Sequence, residues 1–279
     1  MTAAFRPDPD LDPRDPMARL ASLTRLARGP KWRHESVRSL DRAVLYWFTR
    51  GQGRFNLAGT VQGYGAHHAL ILPAGTLHGF DLSAQTQGWM LTFPAGFAGL
   101  PDAPAHLRLP DLARQAELTQ WIDRLGRELA EPDSPGAARA ADCLCGLIAV
   151  WLMRQTSAAP AAPRPASAAE RMAARFAAAM EQAFRTGQDV TDIATALGVS
   201  PAYLGRACRE SCGRSAHDLL HERRLFEARR LLVDTDRAVG EVARAAGFQS
   251  AAYFTRAFVA ATGQTPSAFR QAEESSHVL

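Results

Sequence analysis

The chain has 279 residues, of which 47% are hydrophobic and 22% charged, values typical of globular proteins with room for about two domains. Its formal net charge of +4 is too small to identify a nucleic-acid-binding protein by itself. No run of about 18 consecutive apolar residues predicts a membrane span, and residues 1–20 lack the basic-then-apolar order of a signal peptide, so we expect a soluble cytoplasmic protein without membrane contact.

Residues 1–30 are polar and contain several prolines, and they predict a disordered tail. Short apolar segments then follow at 43–49, 54–57, 69–72 and 89–93, separated by glycine-bearing turns. Several short strands at this spacing indicate a barrel or sandwich. We place this first domain at residues 31–154.

The sequence changes to a helical period after residue 110. One apolar stripe predicts a helix within 111–130, and its members are Leu112, Leu118, Trp121, Ile122, Leu125 and Leu129. A second helix, at about 137–154, is apolar on more than one face. Such a helix packs in a core or against a second subunit, so we expect a homodimer.

The four cysteines, Cys143, Cys145, Cys208 and Cys212, favour free thiols over a disulfide framework in a chain without a secretion signal. Their C-x-C and C-x-x-x-C spacings leave a zinc site as an alternative. Residues 155–169 are rich in Ala, Pro and Ser and predict an interdomain linker. The second domain is placed at 170–272, followed by a tail at 273–279.

The second domain contains an internal repeat, residues 190–220 and 239–270. Ile193, Ala194 and Gly198 match Val242, Ala243 and Gly247 with an offset of 49, whereas Leu204, Arg206, Cys208 and Gly213 match Phe254, Arg256, Phe258 and Gly263 with an offset of 50. One extra residue in the second turn accounts for the change. Self-similarity at a fixed spacing indicates a duplicated structural unit.

Each repeat predicts a helix, a tight turn and a second helix. In the first repeat, Gly198 ends a short helix and Ser200 caps the next one, with Pro201 at its first position. Leu204 and Cys208 then face the core. A second helix of this kind can present its first turns to the DNA major groove, where an arginine donates to guanine or to phosphate.

The candidate DNA contacts are the outward residues of the two second helices and their flanks. They are Ser200, Ala202, Tyr203, Gly205, Arg206, Arg209, Ser250, Ala251, Ala252, Tyr253, Thr255, Arg256 and Arg270. Arg209, Arg214 and Arg270 are expected to contact phosphates. Residues 171–272 hold 14 arginines and 10 acidic residues, so the whole charge surplus lies here. An apolar-striped helix at 216–233 is expected to set the spacing of the two units.

This second domain resembles the DNA-binding domain of the AraC/XylS family of bacterial regulators. The motif around the second repeat matches at Ala243, Gly247-Phe248, Ser250, Tyr253-Phe254, Arg256, Phe258, Gly263, Thr265-Pro266 and Phe269-Arg270, and the connecting helix matches at Arg224-Leu225, Ala228 and Leu231-Leu232. The resemblance implies that Cys208 occupies a core position that is often aromatic. At Gly205 this sequence differs from the family, which often has a larger polar residue at that position. A helical bundle without a nucleic-acid role is the alternative.

The first domain resembles the cupin-like sensor barrel of many members of that family. Pro73-Ala-Gly75-Thr-Leu-His78 is similar to the second cupin motif, whereas the first motif is absent. His67 and His68 are adjacent, so they point to opposite faces of a strand, and we expect neither a metal nor a cofactor. The expected inducer contacts are Tyr46, Phe48, Phe55, Arg54, His78, Phe80 and Trp89, with Arg54 suited to an anion.

The resemblance implies an α+β protein with an N-terminal cupin-like β-barrel followed by helices and an all-α C-terminal domain. It further implies a non-enzymatic transcription regulator whose partners are double-stranded DNA, RNA polymerase and a small-molecule inducer. Two alternatives remain open. One is a metal-dependent cupin enzyme with an appended DNA-binding domain, and the other is a ligand-independent DNA-binding protein whose barrel serves only for dimerisation.

Overall fold

A computed structural model describes residues 17–40, 42–58, 60–158 and 167–276. The chain divides into two compact units. Within the described residues, eight strands lie between residues 19 and 108, and every element from residue 168 onward is helical. The predicted α+β class is therefore confirmed.

The N-terminal unit is built from two antiparallel sheets. The strands are β1 (Arg19–Ser22), β2 (Val44–Arg50), β3 (Gly53–Leu57), β4 (Thr60–Tyr64), β5 (His68–Leu72), β6 (His78–Asp81), β7 (Gln87–Thr92) and β8 (Ala105–Arg108). One sheet has the order β1-β7-β2-β5-β8 and the other β4-β3-β6. The four predicted apolar segments correspond to β2, β3, β5 and β7, and β6 is the strand expected to carry His78 after the turn at Pro73-Ala-Gly75, whereas β1, β4 and β8 were not predicted.

The central strand β2 is buried on both faces. Tyr46 and Phe48 face an interior between the two sheets, together with Phe55 of β3. Leu45 and Trp47 face a second core on the other side of the five-stranded sheet. A strand covered on both faces reads as a continuous apolar run rather than an alternation, which explains the sequence of β2.

The predicted disordered tail at 1–30 is wrong for its described part. β1 pairs with β7, and the helices α1 (Leu23–Arg28) and α2 (Trp32–Glu35) follow. Leu23 is fully buried and belongs to the interior between the sheets. The three-residue spacing of Leu20, Leu23 and Leu26 within a polar segment gives the apolar contacts that order it. Residues 1–16 lie outside the described residues.

Two helices, α3 (Leu112–Ala130) and α4 (Ala137–Ala158), cover the second core. Asp111 caps α3 by accepting a hydrogen bond from the Ala113 amide. The predicted stripe is buried at Leu118, Ile122 and Leu125 but wrong at Leu112, which is 77% exposed at the first position of the helix. Neither these nor the other described helices combine the length and apolarity that crossing a membrane requires.

The C-terminal unit consists of seven helices among the described residues. They are α5 (Ala168–Ala183), α6 (Val190–Ala196), α7 (Pro201–Cys212), α8 (Ala216–Asp234), α9 (Val239–Ala245), α10 (Ala251–Thr262) and α11 (Pro266–Ser276), and a short 3₁₀ segment at Phe184–Thr186 follows α5. α4 and α5 both extend into the predicted linker, of which residues 159–166 lie outside the described part. α11 likewise extends into the predicted tail.

Candidate functional site

The two repeats form two helix–turn–helix units, α6–α7 and α9–α10. Ser200 and Ser250 each cap the second helix of their unit by accepting a hydrogen bond from the amide three residues later. The turns contain Gly198 at φ 72° and Gly247 at φ 84°, a backbone region that favours glycine. The helix caps and the turn glycines of each unit therefore lie where the sequence predicts them.

The two second helices have the same pattern of burial except at one position, where Ser211 is half-buried and its counterpart Ala261 is exposed. Leu204, Ala207 and Cys208 of α7 are buried, as are their counterparts in α10. Most of the predicted DNA contacts on these helices are exposed, namely Ala202, Tyr203, Arg206, Arg209, Ala251, Ala252, Tyr253 and Arg256, whereas Gly205 and Thr255 are half-buried. Each unit therefore presents small residues, one tyrosine and one equivalent arginine on a single outward face.

The two buried thiols are poor metal ligands. Burial raises the pKa of both Cys145 and Cys208 to about 12, so these thiols stay protonated, and zinc binds the thiolate. Within the described residues, no group of three or more His, Cys, Asp or Glu side chains is placed to hold a metal ion.

Arg270 differs from its predicted role as a phosphate contact. Its Nε donates to the Leu232 carbonyl at 2.9 Å and its Nη2 to the Arg237 carbonyl at 2.6 Å. The side chain therefore ties α11 to the segment that leads into α9. Arg214, also expected near phosphate, forms an ion pair with Glu222.

A buried ion cluster between α5 and α8 was not predicted. The Glu227 carboxylate accepts hydrogen bonds from Arg185 at 2.8 Å and Arg230 at 3.0 Å, and lies 3.4 Å from Arg223. Arg223 also pairs with Glu181 at 2.8 Å. Burial favours the neutral acid, but the Arg230 hydrogen bond and the three positive charges outweigh it and lower the pKa of Glu227 to about 2.

Five predicted inducer contacts lie together in the interior between the sheets. The Tyr46 and Phe80 rings are 4.3 Å apart, and Phe48, Phe55 and His78 are the other three, all almost fully buried. His78 Nδ1 donates to the Thr76 carbonyl at 2.8 Å, so Nε2 accepts from the Tyr46 hydroxyl at 3.0 Å. One polar pair is thus fixed within an aromatic interior that Phe55 also lines.

Two other predicted inducer contacts lie elsewhere. Trp89 packs against the core beneath α3 and α4, because β7, like β2, has apolar residues on both faces. Arg54 is exposed, and its neighbour Phe55 is the residue of β3 that points inward. The argument for an anionic inducer that rested on Arg54 is therefore unsupported.

A half-buried histidine pair that was not predicted lies beside Phe55. His68 Nδ1 lies 2.8 Å from His106 Nε2, joining β5 to β8, and the Phe55 ring meets His106 edge-on at 5.1 Å. Burial, followed by the neighbouring imidazole and by Arg108, lowers the pKa of His106 to about 4. Near neutral pH one imidazole therefore donates and the other accepts.

Tyr46→Phe is expected to destabilise the N-terminal unit by about 1–3 kcal/mol, because the hydroxyl that donates to the buried His78 is lost. Urea denaturation followed by tryptophan fluorescence measures this change. Tyr203→Phe, on α7 where Tyr203 is 37% exposed, should leave the fluorescence transition unchanged. A Tyr46→Phe variant as stable as the wild type would contradict the assignment of that hydrogen bond.

Two domain families match the chain. Residues 20–149 match the AraC-like ligand binding domain, and residues 193–272 match a helix-turn-helix domain. The first region covers the two sheets, α3 and most of α4, and the second covers both helix–turn–helix units and most of α11.

Several bacterial proteins share sequence with this chain. The HTH-type transcriptional regulator GlxA of Rhizobium meliloti is 39% identical over 127 residues, covering 43% of this chain and 39% of that protein. The HTH-type transcriptional activator RhaR of Klebsiella pneumoniae is 29% identical over 185 residues, covering 66% and 63%. The arabinose operon regulatory protein of Escherichia coli K12 is 33% identical over 82 residues, covering 29% and 28%. Each match spans less than two thirds of the relative's length.

Proposed function

This chain belongs to the AraC family of transcription regulators, and from that premise we propose that it regulates transcription by binding specific DNA sites under the control of a small molecule. The observation that carries the proposal is the duplicated helix–turn–helix, with its two equivalent outward faces. We further propose that the protein acts in the cytoplasm, performs no catalysis of its own and influences RNA polymerase at the promoters it binds.

DNA recognition is assigned to α7 and α10. The exposed N-terminal halves of these helices enter successive major grooves, whose centres on one face of the duplex are about 34–36 Å apart. Arg206 and Arg256 are the base- or phosphate-contacting cations of the two faces. Ser200 and Ser250 act through their helix caps, and Arg209 supplies a phosphate contact. The Thr255 hydroxyl already donates to the Ala251 carbonyl at 3.0 Å. We therefore assign its methyl group to an apolar contact with a base.

With so few long donors on either face, much of the affinity must come from phosphates and DNA shape. The test is binding of the full-length chain to fragments from its own genome across a salt series. The expected result is a saturable complex whose logarithmic affinity falls linearly with the logarithm of salt concentration. Absence of any complex at low salt would overturn the proposal.

Inducer binding is assigned to the interior between the two sheets. Phe48 and Tyr64 stack at 4.1 Å there, and the Tyr46–His78 pair offers polar groups. These features favour a small aromatic or apolar molecule with a hydrogen-bonding group. Because the interior side chains contact one another, such a molecule must displace them as it enters.

Ligand binding is tested by thermal shift with a panel of small aromatic compounds. A compound at about 100 times its dissociation constant stabilises the native unit by about 2.7 kcal/mol. The expected hit stabilises the wild type and is weaker with Tyr46→Phe, which removes one of the two polar groups assigned to the ligand. If no compound shifts the thermal transition, a DNA-binding protein whose barrel serves only for dimerisation is favoured. If elemental analysis finds a stoichiometric metal that His78→Ala loses, a metal-dependent cupin enzyme is favoured.

Homodimerisation is assigned to the outer face of α4. Leu147 is 50% exposed, and Val150 and Met153 are each 39% exposed, and their three-residue spacing places them on one side of the helix. Exposed apolar side chains clustered in this way are typical of protein interfaces.

The double variant Leu147→Glu, Val150→Glu is expected to convert the protein from dimer to monomer, because two carboxylates would be buried at the interface. Analytical ultracentrifugation measures the mass. Leu112→Glu is the control, since Leu112 is exposed but lies on α3. A wild type that is monomeric at micromolar concentration, or a double variant that remains dimeric, would contradict the assignment.

A further inference from the structure

The turns of the two helix–turn–helix units differ in length and in surroundings. The first turn, residues 197–200, is one residue shorter than the second, residues 246–250. Gly198 is exposed, and a Cβ built there would meet nothing within 4 Å. Gly247 is buried. The extra residue that changes the repeat offset from 49 to 50 therefore lies in the second turn, which is packed against other parts of the unit.

The second turn lies against the segment that leads into α6. The Gln249 Nε2 donates to the Gly187 carbonyl at 3.0 Å. A Cβ at Gly247 would overlap the Phe184 carbonyl oxygen, so the two backbones are in close contact. Phe248, 3% exposed, packs beside His221 of α8.

Arg224 of α8 completes the same set of contacts. Its Nε donates to the Phe184 carbonyl at 3.0 Å and its Nη2 to the Gln188 carbonyl at 2.6 Å. Asp189, the next residue, caps α6. The second unit is therefore attached within two residues of the point where the first unit begins. We call this set of contacts the junction: Gly247, Gln249 and Arg224 against the carbonyls of Phe184, Gly187 and Gln188.

We infer that the junction sets the separation and orientation of α7 and α10, and hence the spacing of the two DNA segments that the chain reads. α8 connects the two units along the chain, and Arg270 holds the segment between α8 and α9. The junction adds a separate attachment, between the turn of the second unit and the start of the first. Gly247 and Gln249 are therefore positioning residues, and this inference rests on the proposed DNA-binding function.

The two turn glycines provide a matched pair of variants. Gly198→Ala and Gly247→Ala both place a side chain at positive φ, and so share the same backbone strain. Only Gly247→Ala also overlaps the Phe184 carbonyl. Because the strain is shared, any difference between the two variants in the α7–α10 distance or in DNA binding is attributed to the junction. Gln249→Ala removes one junction hydrogen bond and keeps the glycine, so it decides the question if Gly247→Ala does not fold.

The first test measures the distance between α7 and α10 in the free full-length chain. Spin labels are placed at the exposed Ala202 and Ala252 in a background with Cys143→Ser and Cys212→Ser. With each labelled chain diluted in excess unlabelled chain, so that a dimer carries at most one labelled copy, double electron–electron resonance is expected to give one narrow distance in the wild type and in Gly198→Ala. A broadened or shifted distribution is expected in Gly247→Ala and, to a smaller extent, in Gln249→Ala. Unchanged distributions in the folded variants would overturn the inference, whether or not the chain binds DNA.

The second test inserts one base pair between the two segments of a DNA site selected with the wild type. The insertion moves one segment by about 3.4 Å along the axis and rotates it. The wild type and Gly198→Ala are expected to lose about tenfold or more in affinity, as for a mismatched site. Gln249→Ala and Gly247→Ala are expected to lose less, while binding a single segment as well as the wild type does. Equal losses in all four proteins would overturn the inference, whereas a wild type that binds no DNA would contradict the proposed function.

Discussion

Glu227→Ala is expected to lower the free energy of unfolding of the C-terminal unit by about 3–5 kcal/mol, the usual cost of removing one partner from a buried ion pair. The Glu227 side chain is only 4% exposed and faces three arginines. Without the carboxylate, the guanidinium of Arg223, also 4% exposed, keeps Glu181 as its one ion-pair partner among the described residues.

The two units can be followed separately in this experiment. All five tryptophans lie in the N-terminal unit, at Trp32, Trp47, Trp89, Trp121 and Trp151. Urea denaturation of Glu227→Ala should therefore shift the far-UV circular dichroism transition and leave the tryptophan fluorescence transition in place. Glu210→Ala, on the exposed face of α7, is the control. An unchanged dichroism transition would contradict the ion cluster.

The Glu227 carboxylate also makes the free energy of unfolding of the C-terminal unit depend on pH. Its pKa is lowered from 4.5 to about 2 in the folded chain, so its contribution is present above pH 4.5 and is lost as the pH falls towards 2. A shift of this size corresponds to about 3 kcal/mol. Glu227→Gln is expected to flatten the acid dependence of the dichroism transition, and an equally steep dependence in that variant would assign it to other groups.

Arg206→Ala and Arg256→Ala are each expected to weaken binding to a selected DNA site by about tenfold or more. An arginine that pairs with a guanine edge contributes about 1–3 kcal/mol and specifies one base, whereas one that binds phosphate lowers affinity for all sequences and reduces the salt slope by about 1. Binding isotherms on matched and mismatched sites at several salt concentrations separate the two roles.

Arg127→Ala is the control for these variants. Arg127 is exposed on α3, so its removal lowers the net charge by the same amount without altering either helix–turn–helix unit. If all three variants bind DNA as the wild type does, α7 and α10 are not the reading helices. If Arg127→Ala is weakened equally, the loss reflects net charge alone.

The helix–turn–helix units were predictable because their signals are local. Ser200 and Ser250 cap helices through amides three residues away, and Gly198 and Gly247 adopt the positive φ that ends a short helix. Such signals act within one turn of chain and can be recognised from sequence alone. The inward face of β2 was predicted for a similar reason, since Tyr46 and Phe48 are two residues apart.

The errors arose where distant parts of the chain meet. Trp89 was assigned to the wrong face because both faces of its strand are apolar. β1 was missed because its order depends on pairing with β7, about 70 residues away in sequence. The sequence predicts Arg270 as a phosphate contact, but its partners are carbonyls more than 30 residues earlier. The junction depends in the same way on residues 184–188 and 247–249 being brought together.

The most direct test of the account is methylation protection by the full-length chain on a selected DNA site, because methylation at guanine N7 reports on the major groove. The account predicts two protected major-groove segments on one face of the duplex, about one helical turn or 34–36 Å apart. It further predicts that Arg206→Ala and Arg256→Ala each weaken a different one of them. Protection of a single segment, or none at concentrations that saturate binding, would contradict a duplicated DNA-reading unit.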